Sequence, residues 1–154
     1  MLLDKVFEKY ADRIPEAPKP AGVYKPLVVT GNMAFISGHG PYQPGGTLIC
    51  GRVGSEVDLA YGKDAALQTG LAILATLKAH FGTLTKVKRV IKVLGMVNAD
   101  LDFKQHPKVI NGCSELFEEV WGNENGVGSR SAVGFGSLPD NISVEIEVQV
   151  ELND

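Results

Sequence analysis

The sequence predicts an α+β fold in which two helices pack on one face of a mixed β-sheet. Three observations predict it: an element order of β-β-β-α-β-α-β-β, two long segments with helical apolar spacing, and a strictly alternating segment near the C-terminus. The apolar face of that last segment comprises Ile142, Val144, Ile146, Val148 and Val150. Two helices cover only one face of a sheet, so its polar face is expected to meet water or another subunit.

The N-terminal residues 1–21 predict an amphipathic helix followed by a stiff connector. Apolar side chains recur at helical spacing among charges, and Pro15 ends the pattern. They are Leu3, Phe7, Tyr10 and Ile14. Residues 15–20 are proline-rich. With 154 residues, the chain is expected to form one domain over residues 1–154.

Three short strands are expected next. Residues 24–30 and 33–37 are apolar, and Gly31 and Asn32 between them favour a hairpin turn. A glycine-rich loop then leads to a short strand over residues 47–52.

Two helices and a buried strand follow. The main helix is expected over residues 58–81, with Gly82 as its C-terminal cap and an apolar stripe of Leu67, Leu71, Leu74 and Leu77. Residues 87–97 are β-branched and apolar, which indicates a buried strand. The second helix is expected over residues 107–121, and residues 122–128 form a loop. One side of that helix carries Val109, Cys113, Leu116, Phe117 and Val120.

The C-terminal region places Arg130 and Glu145 on two apolar segments joined by a turn. Gly134 disfavours a helix after Arg130, and a Pro-Asp-Asn sequence at residues 139–141 indicates the turn. A guanidinium among apolar residues is expensive to bury without an anion. Arg130 therefore needs a carboxylate, which either the protein or a ligand could supply.

These residues resemble the RidA (YjgF/YER057c/UK114) family, in its endoribonuclease L-PSP/chorismate-mutase-like branch. The C-terminal pattern of that family appears here as Arg130–Ser131, Gly136, Leu138–Pro139 and Val144–Glu145–Ile146. Three further patches occur in the same order: Gly22–Val23–Tyr24 with Ser37–Gly38, Asp102–Phe103, and Val109–Ile110–Asn111. The resemblance runs from about Gly22 to the C-terminus. It implies a chorismate-mutase-like fold that assembles as a homotrimer, with ligand sites between subunits.

The resemblance also implies a chemistry and a set of site residues. Arg130 is expected to hold the carboxylate of a small 2-imino acid, and Glu145 to act as a general acid and base on water. Tyr24 is expected to close over the ligand, while Ser37 and Asn111 supply hydrogen bonds. The reaction is the hydrolysis of a 2-imino acid to a 2-keto acid and ammonia, and it requires no metal or other cofactor.

Each residue also has a purely structural interpretation. Arg130 could form an ion pair with Glu145 or Glu147 across neighbouring strands. Glu145 could be an ordinary solvated carboxylate, and Tyr24 a half-buried strand aromatic. Asn111 could be a surface residue of its helix. His39 follows the Ser-Gly pair and could line the cleft.

Composition excludes several other classes of protein. A net charge of −3 gives no electrostatic footprint for nucleic acid or membranes. Three separated histidines and two cysteines fit no zinc or disulfide spacing, and a reducing cytoplasm is expected. Relative to the family, Gly128–Ser129 replaces Pro-Ala before the arginine, Ala132 replaces a cysteine and His39 replaces a glutamine. These departures affect the cleft walls and leave the arginine in place.

Three functions fit the sequence. The first is an enamine/imine deaminase, for which Arg130 and Glu145 together are the signature. The second is a non-catalytic trimer that binds a small carboxylate and regulates a partner; it would tolerate loss of Glu145. The third, an endoribonuclease, is the weakest, because the chain is acidic and lacks a basic surface.

Overall fold

The computed structural model describes residues 2–154 without the side chains of Leu2 and Asp4, so Met1 of the expected domain lies outside it. Its helices are α1 (Leu2–Lys9), α2 (Leu59–Phe81) and α3 (His106–Gly126). Its strands are β1 (Leu27–Thr30), β2 (Met33–His39), β3 (Val87–Asn98), β4 (Ser129–Phe135) and β5 (Val144–Leu152). Two 3₁₀ turns, Leu84–Lys86 and Pro139–Asn141, precede β3 and β5. The expected α+β class is confirmed.

The five strands form one mixed sheet in the order β1-β2-β5-β3-β4. Strand β4 is parallel to β3, and every other neighbouring pair is antiparallel. Because α3 connects β3 to β4, these three elements form a β-α-β unit, which is the usual way to join parallel neighbours. Strand β3 therefore lies between the two C-terminal strands.

The prediction of a short strand over residues 47–52 is wrong. This segment makes only isolated bridges, between Tyr42 and Leu48 and between Cys50 and Ile142. Gly45 and Gly46 have φ values of 89° and 88°, and Gly51 has 130°, so the backbone leaves the extended region just before the segment and again within it. No continuous ladder can form there.

Helix α2 agrees closely with its prediction. Asp58 caps its start by accepting a hydrogen bond from the Tyr61 amide, and Gly82 ends it with a φ of 78°. Leu71, Leu74 and Leu77 are buried as expected. Burial extends around most of the helix because the sheet lies on one side of it and α3 on the other.

Helix α3 packs against α2 at Gly112. A Cβ atom at this position would lie 2.0 Å from the Lys63 carbonyl oxygen, so only glycine permits the close backbone approach. The five apolar residues expected on the inner side of α3 are all at most 2% exposed. Gly122, with a φ of 82°, breaks the helical backbone where the helix was expected to end; one further turn follows before β4.

The alternation of β5 places Val144, Ile146 and Val148 in the core, while Glu145 and Glu147 lie on the opposite face of the sheet. Both main helices pack on the core face. The other face carries exposed apolar side chains between 40% and 52% accessible, which are Val28, Phe35, Val133 and Phe135. This surface is called the open face below.

The N-terminal segment packs against the helical layer. Helix α1 ends at Lys9, earlier than the apolar spacing suggested, but the chain continues in turns to Arg13. Phe7, Tyr10 and Ile14 contact the core cluster. Lys9 pairs with Glu119 of α3 at 3.0 Å on the exposed surface between the two helices.

Candidate functional site

Arg130 lies on the helical side of the sheet. Its neighbour across the parallel ladder is Val93, a core residue, so the Arg130 side chain rises towards α3. There its Nη1 donates hydrogen bonds to Asn111 Oδ1 at 2.7 Å and to Ser114 Oγ at 3.2 Å. Asn111 and Ser114 are three residues apart on α3 and therefore share one face of the helix. We call these three residues the guanidinium clamp.

The backbone before Arg130 explains the glycine at position 128. A Cβ atom there would lie 2.8 Å from the Val90 carbonyl oxygen and 2.9 Å from that of Ile91. Glycine thus lets the chain enter β4 tightly against β3. The departure from the Pro-Ala pattern has a steric reason in this chain.

Within one chain, Arg130 does not form the ion pair with Glu145 or Glu147 that the sequence left open. Strand β3 separates β4 from β5, and the arginine and the two glutamates point to opposite faces of the sheet. Arg130 and Glu145 are two strands apart and offset by three residues, about 14 Å between their Cα atoms from strand spacing and rise. Among the described residues, no carboxylate lies within 4 Å of the Arg130 guanidinium.

A cavity of about 320 Å³ opens beside the guanidinium clamp. Val93, Phe117 and Val127 form its apolar wall, and Glu115 and Glu118 also line it. The part-buried guanidinium meets only neutral oxygen atoms in the clamp. A planar cation held this way favours a carboxylate, which can accept two parallel N–H bonds.

Glu145 lies in a second cavity, of about 480 Å³, on the open face. Tyr24, Ser37 and Glu147 also line it. A Cβ atom at Gly38 would lie 2.7 Å from Glu145 Oε2, so the glycine makes room for the carboxylate over β2. Tyr24, Ser37 and Glu145 thus surround one cavity, which we call the carboxylate cavity.

Burial, with a smaller contribution from neighbouring Glu147, raises the pKa of Glu145 above its ordinary value. A glutamate in this setting retains its proton at higher pH than a solvated one. A carboxyl group whose pKa is raised in this way is better suited than a solvated one to return a proton that it has accepted.

Tyr24 and Ser37 are held by local contacts on the same side. Tyr24 is half exposed, and its hydroxyl accepts a hydrogen bond of 3.2 Å from the Ala21 amide. Ser37 Oγ donates to the Lys25 carbonyl oxygen at 2.5 Å, which leaves its lone pairs free to accept. The two residues thus offer an aromatic wall and a hydrogen-bond acceptor.

His39 does not line the carboxylate cavity. The ladder between β2 and β5 shifts register after Ile36, and this bulge turns His39 into the core. Its Nδ1 lies 2.6 Å from the Ser37 carbonyl oxygen and its Nε2 lies 2.8 Å from Thr76 Oγ1. Burial lowers the pKa of His39. In the neutral ring, Nδ1–H donates to Ser37 and Nε2 accepts from Thr76.

The remaining reactive side chains have structural settings. Burial raises the pKa of the Cys113 thiol, which makes it a poor nucleophile. Within residues 2–154, no three His, Cys, Asp or Glu side chains are grouped so that they could hold a metal ion. In the same range, no helix is long and apolar enough to cross a membrane.

The described geometry divides the expected site residues into two groups. Arg130 and Asn111 meet on the helical face, while Tyr24, Ser37 and Glu145 meet on the open face. Ser114 was not expected from the sequence. Its position three residues after Asn111 on the same helix is the signal that could have identified it.

Comparisons with known proteins agree with this fold. Residues 9–151 match the family model described as "YjgF/chorismate_mutase-like, putative endoribonuclease". The chain belongs to the YjgF/chorismate-mutase-like (RidA) family. A Trypanosoma cruzi protein named TCP17 is 35% identical over 141 residues, covering 92% of this chain and 88% of the relative.

Two solved structures superpose on most of the chain. That of the Agrobacterium tumefaciens protein Atu1372, of unknown function, superposes with a TM-score of 0.90 at 37% identity over 99% of this chain and 93% of its own. RidA from an Antarctic Psychrobacter superposes with a TM-score of 0.63 at 28% identity over 89% and 94%. The RidA-type core is thus common to both, and the overall likeness to Atu1372 is greater.

Proposed function

We propose that this RidA-family chain is an enamine/imine deaminase that hydrolyses small 2-imino acids to 2-keto acids and ammonia. The observation that carries the proposal is the guanidinium clamp. Arg130 is part-buried, oriented by Asn111 and Ser114, and has no carboxylate of the described residues within ion-pair distance. A small carboxylate ligand would complete its hydrogen bonding.

We further propose that the working site forms between subunits of a homotrimer. A small imino acid is too short to reach Arg130 and Glu145 of one chain, since they are about 14 Å apart on opposite faces of the sheet. Exposed Phe35, Val133 and Phe135 on the open face are the kind of apolar surface that a neighbouring subunit covers. In such an assembly, the clamp of one subunit would adjoin the carboxylate cavity of the next.

The chemistry requires positioning and one mobile proton. Arg130 holds the substrate carboxylate, which fixes the imine carbon beside Glu145 of the partner subunit. Glu145 accepts a proton from water as the water oxygen bonds to the imine carbon, and it passes this proton to the imine nitrogen. The carbinolamine then loses ammonia: its hydroxyl proton passes to Glu145 as the C–N bond breaks and the C=O bond forms. Glu145 supplies the proton that makes the nitrogen a leaving group.

Ser37 and Tyr24 would act on the same substrate. The free lone pairs of Ser37 Oγ can accept a hydrogen bond from the imine N–H or from water. Tyr24 would screen the substrate from solvent. Both roles rest on the positions of these residues in the carboxylate cavity.

A non-catalytic carboxylate-binding trimer is the second candidate. The observation in its favour is that the guanidinium clamp lies within one subunit, whereas Glu145 of the same subunit lies on the opposite face of the sheet. Ribonuclease activity, which the family description mentions, has less support because the net charge is −3.

The proposal is tested by generating a 2-imino acid with an amino-acid oxidase and trapping the remainder with semicarbazide. Wild type should accelerate its loss, while Arg130→Ala and Glu145→Gln should not. Arg89→Ala, which removes an arginine from a surface pair with Glu151, is the matched control. Acceleration that survives in Glu145→Gln excludes the acid–base role, and no acceleration by wild type overturns the deaminase.

Mixed assemblies test the position of the site. Arg130→Ala and Glu145→Gln chains, unfolded together and refolded, should regain activity at about one quarter of the sites if each site draws one residue from each of two subunits. A site within one subunit would give no recovery.

A further inference from the structure

Gln68 is a buried polar residue in the middle of α2 for which the proposed reaction has no use. It is 1% exposed and lies in the most buried stretch of the helix. Burying a carboxamide is costly unless its polar atoms are hydrogen-bonded. Its contacts therefore indicate what it holds in place.

The Gln68 carboxamide connects two segments that are distant in sequence. Its Nε2 donates to the Arg13 carbonyl oxygen at 2.8 Å and to the Tyr42 carbonyl oxygen at 2.6 Å. Its Oε1 accepts from Arg13 Nε at 3.1 Å. Arg13 also pairs with Asp64, one turn earlier on α2, at 3.0 Å.

Tyr42 belongs to the wall of the carboxylate cavity, together with Gly38 and Gly40. This wall has two anchors on α2. Thr76 holds it through His39, and Gln68 holds it directly at Tyr42. The anchors are eight residues apart, about 12 Å along the helix, and so support the wall at both ends.

The N-terminal segment also contributes to this cavity. The chain beyond Arg13 leads to Ala21, Gly22 and Tyr24, which line the carboxylate cavity together with Tyr42. Arg13 is thus tied to Gln68, and Gln68 to Tyr42. One buried side chain therefore connects a cavity-lining residue, Tyr42, to the segment that leads into Ala21.

We propose that Gln68 is a positioning residue that couples the N-terminal segment to the Tyr42 wall, so that this segment helps to determine which substrates fit. A purely structural Gln68 would affect the stability of the fold and leave substrate selection unchanged. The effect on turnover rests on the proposed deaminase function. The coupling between Arg13, Gln68 and the Tyr42 wall does not.

Two variants break the coupling at different points. Gln68→Met keeps an unbranched side chain of similar size and removes all three hydrogen bonds. Arg13→Ala removes only the side-chain contacts from a partly exposed position, so it tests the proposal even if Gln68→Met fails to fold. Lys9→Ala is the matched control, because it also removes an N-terminal cation from a surface ion pair but has no contact with Gln68.

Hydrogen exchange without ligand measures the coupling. The amides of Gln43 and Ile49 lie in the loop that carries Tyr42 and bond to the carbonyl oxygens of Thr47 and Pro41. They should exchange about 5- to 10-fold faster in Gln68→Met, and less so in Arg13→Ala. Lys9→Ala should match wild type. Unchanged exchange at both amides in the folded variants overturns the coupling.

Substrate selection is then measured with 2-imino acids bearing small and bulky side chains. Both variants should raise KM at least threefold while kcat stays within twofold, and the rise should be larger for bulky side chains. Should wild type show no turnover, the Kd of 2-oxobutanoate replaces KM, so that failure of the deaminase remains distinguishable. Faster exchange without any change in KM or Kd reduces Gln68 to a structural residue and overturns the proposal.

Discussion

Replacing Asn111 with alanine tests whether the guanidinium clamp sets affinity for carboxylates. The substitution removes the 2.7 Å hydrogen bond from Arg130 Nη1 and leaves the arginine in place. Alanine is the better helix former, and Asn111 is partly exposed, so α3 should remain intact. The effect should therefore appear in binding rather than in folding.

The expected magnitude follows from the charge and burial of this contact. Hydrogen bonds to charged groups contribute about 1.5–3 kcal/mol, and partial exposure places this one near the lower limit. About 1.5 kcal/mol corresponds to roughly a tenfold weaker Kd for a 2-keto acid. Ser114→Ala removes a longer bond, of 3.2 Å, and should weaken Kd about threefold.

Calorimetric titration with 2-oxobutanoate measures these effects on both single variants and on the double variant. The double variant should differ from the sum of the single ones, because both side chains bind the same nitrogen. Asn32→Ala, at an exposed turn where the amide contacts Glu151, serves as the control. A change below twofold in Asn111→Ala would show that Arg130 needs no orientation from α3, and would refute this reasoning.

Two further predictions concern the scaffold. Gly112→Ala should lower stability by about 3 kcal/mol and Tm by about 6–12 °C, because a Cβ would lie 2.0 Å from the Lys63 carbonyl oxygen. Gly136→Ala, where nothing lies within 4 Å, should change Tm little; equal effects of the two would contradict the close helix crossing. Burial lowers the pKa of His39, so the unfolded state binds its proton first, and wild-type stability should fall as pH drops below about 6.5. Urea unfolding from pH 7.5 to 5.5 should show a shallower loss in His39→Gln than in wild type or in exposed His80→Gln; parallel losses would contradict a buried neutral ring.

Local sequence patterns were sufficient to predict the elements that contain their own capping residues or a regular alternation of apolar side chains. Asp58 and Gly82 bound α2 because a carboxylate cap and a left-handed glycine act within one turn of the backbone. The alternation of β5 identified its core face because successive side chains of a strand must point in opposite directions. The resemblance assigned five residues to one site. Tyr24, Ser37 and Glu145 lie around the carboxylate cavity, whereas Asn111 and Arg130 lie in the guanidinium clamp.

The face of the sheet on which the Arg130 side chain lies could not be predicted from the sequence of β4 alone. A turn between β4 and β5 suggested neighbouring strands, and hence the ion pair with Glu145 or Glu147. The order of β3, α3 and β4 along the chain is what indicates the neighbour of β4. Strand β3, α3 and β4 form a β-α-β unit, whose strands lie parallel and usually adjacent. That rule places β4 beside β3 and α3 over Arg130.

The hydrogen bonds of buried polar side chains could not be predicted from local sequence patterns for another reason. Gln68 and Thr76 lie in the buried stretch of α2, and nothing in the helical period tells a hydrogen-bonded core residue from a surface one. Their partners, Tyr42 and His39, come from a segment whose bulge shifts the register by one residue. A one-residue shift decides which side chains enter the core, and sequence alternation does not record it.

The two halves of the proposed site depend on different parts of the fold. The clamp needs only the β3-α3-β4 unit, in which Gly128 lets the strands approach and α3 presents Asn111 and Ser114. The carboxylate cavity needs β2, β5 and the N-terminal segment, with α2 behind them. A substitution can therefore alter the carboxylate cavity without disturbing Arg130, the residue proposed to hold the substrate carboxylate. On this argument, changes near Tyr42 should change which imino acid is preferred, while changes in the clamp should weaken all carboxylates alike.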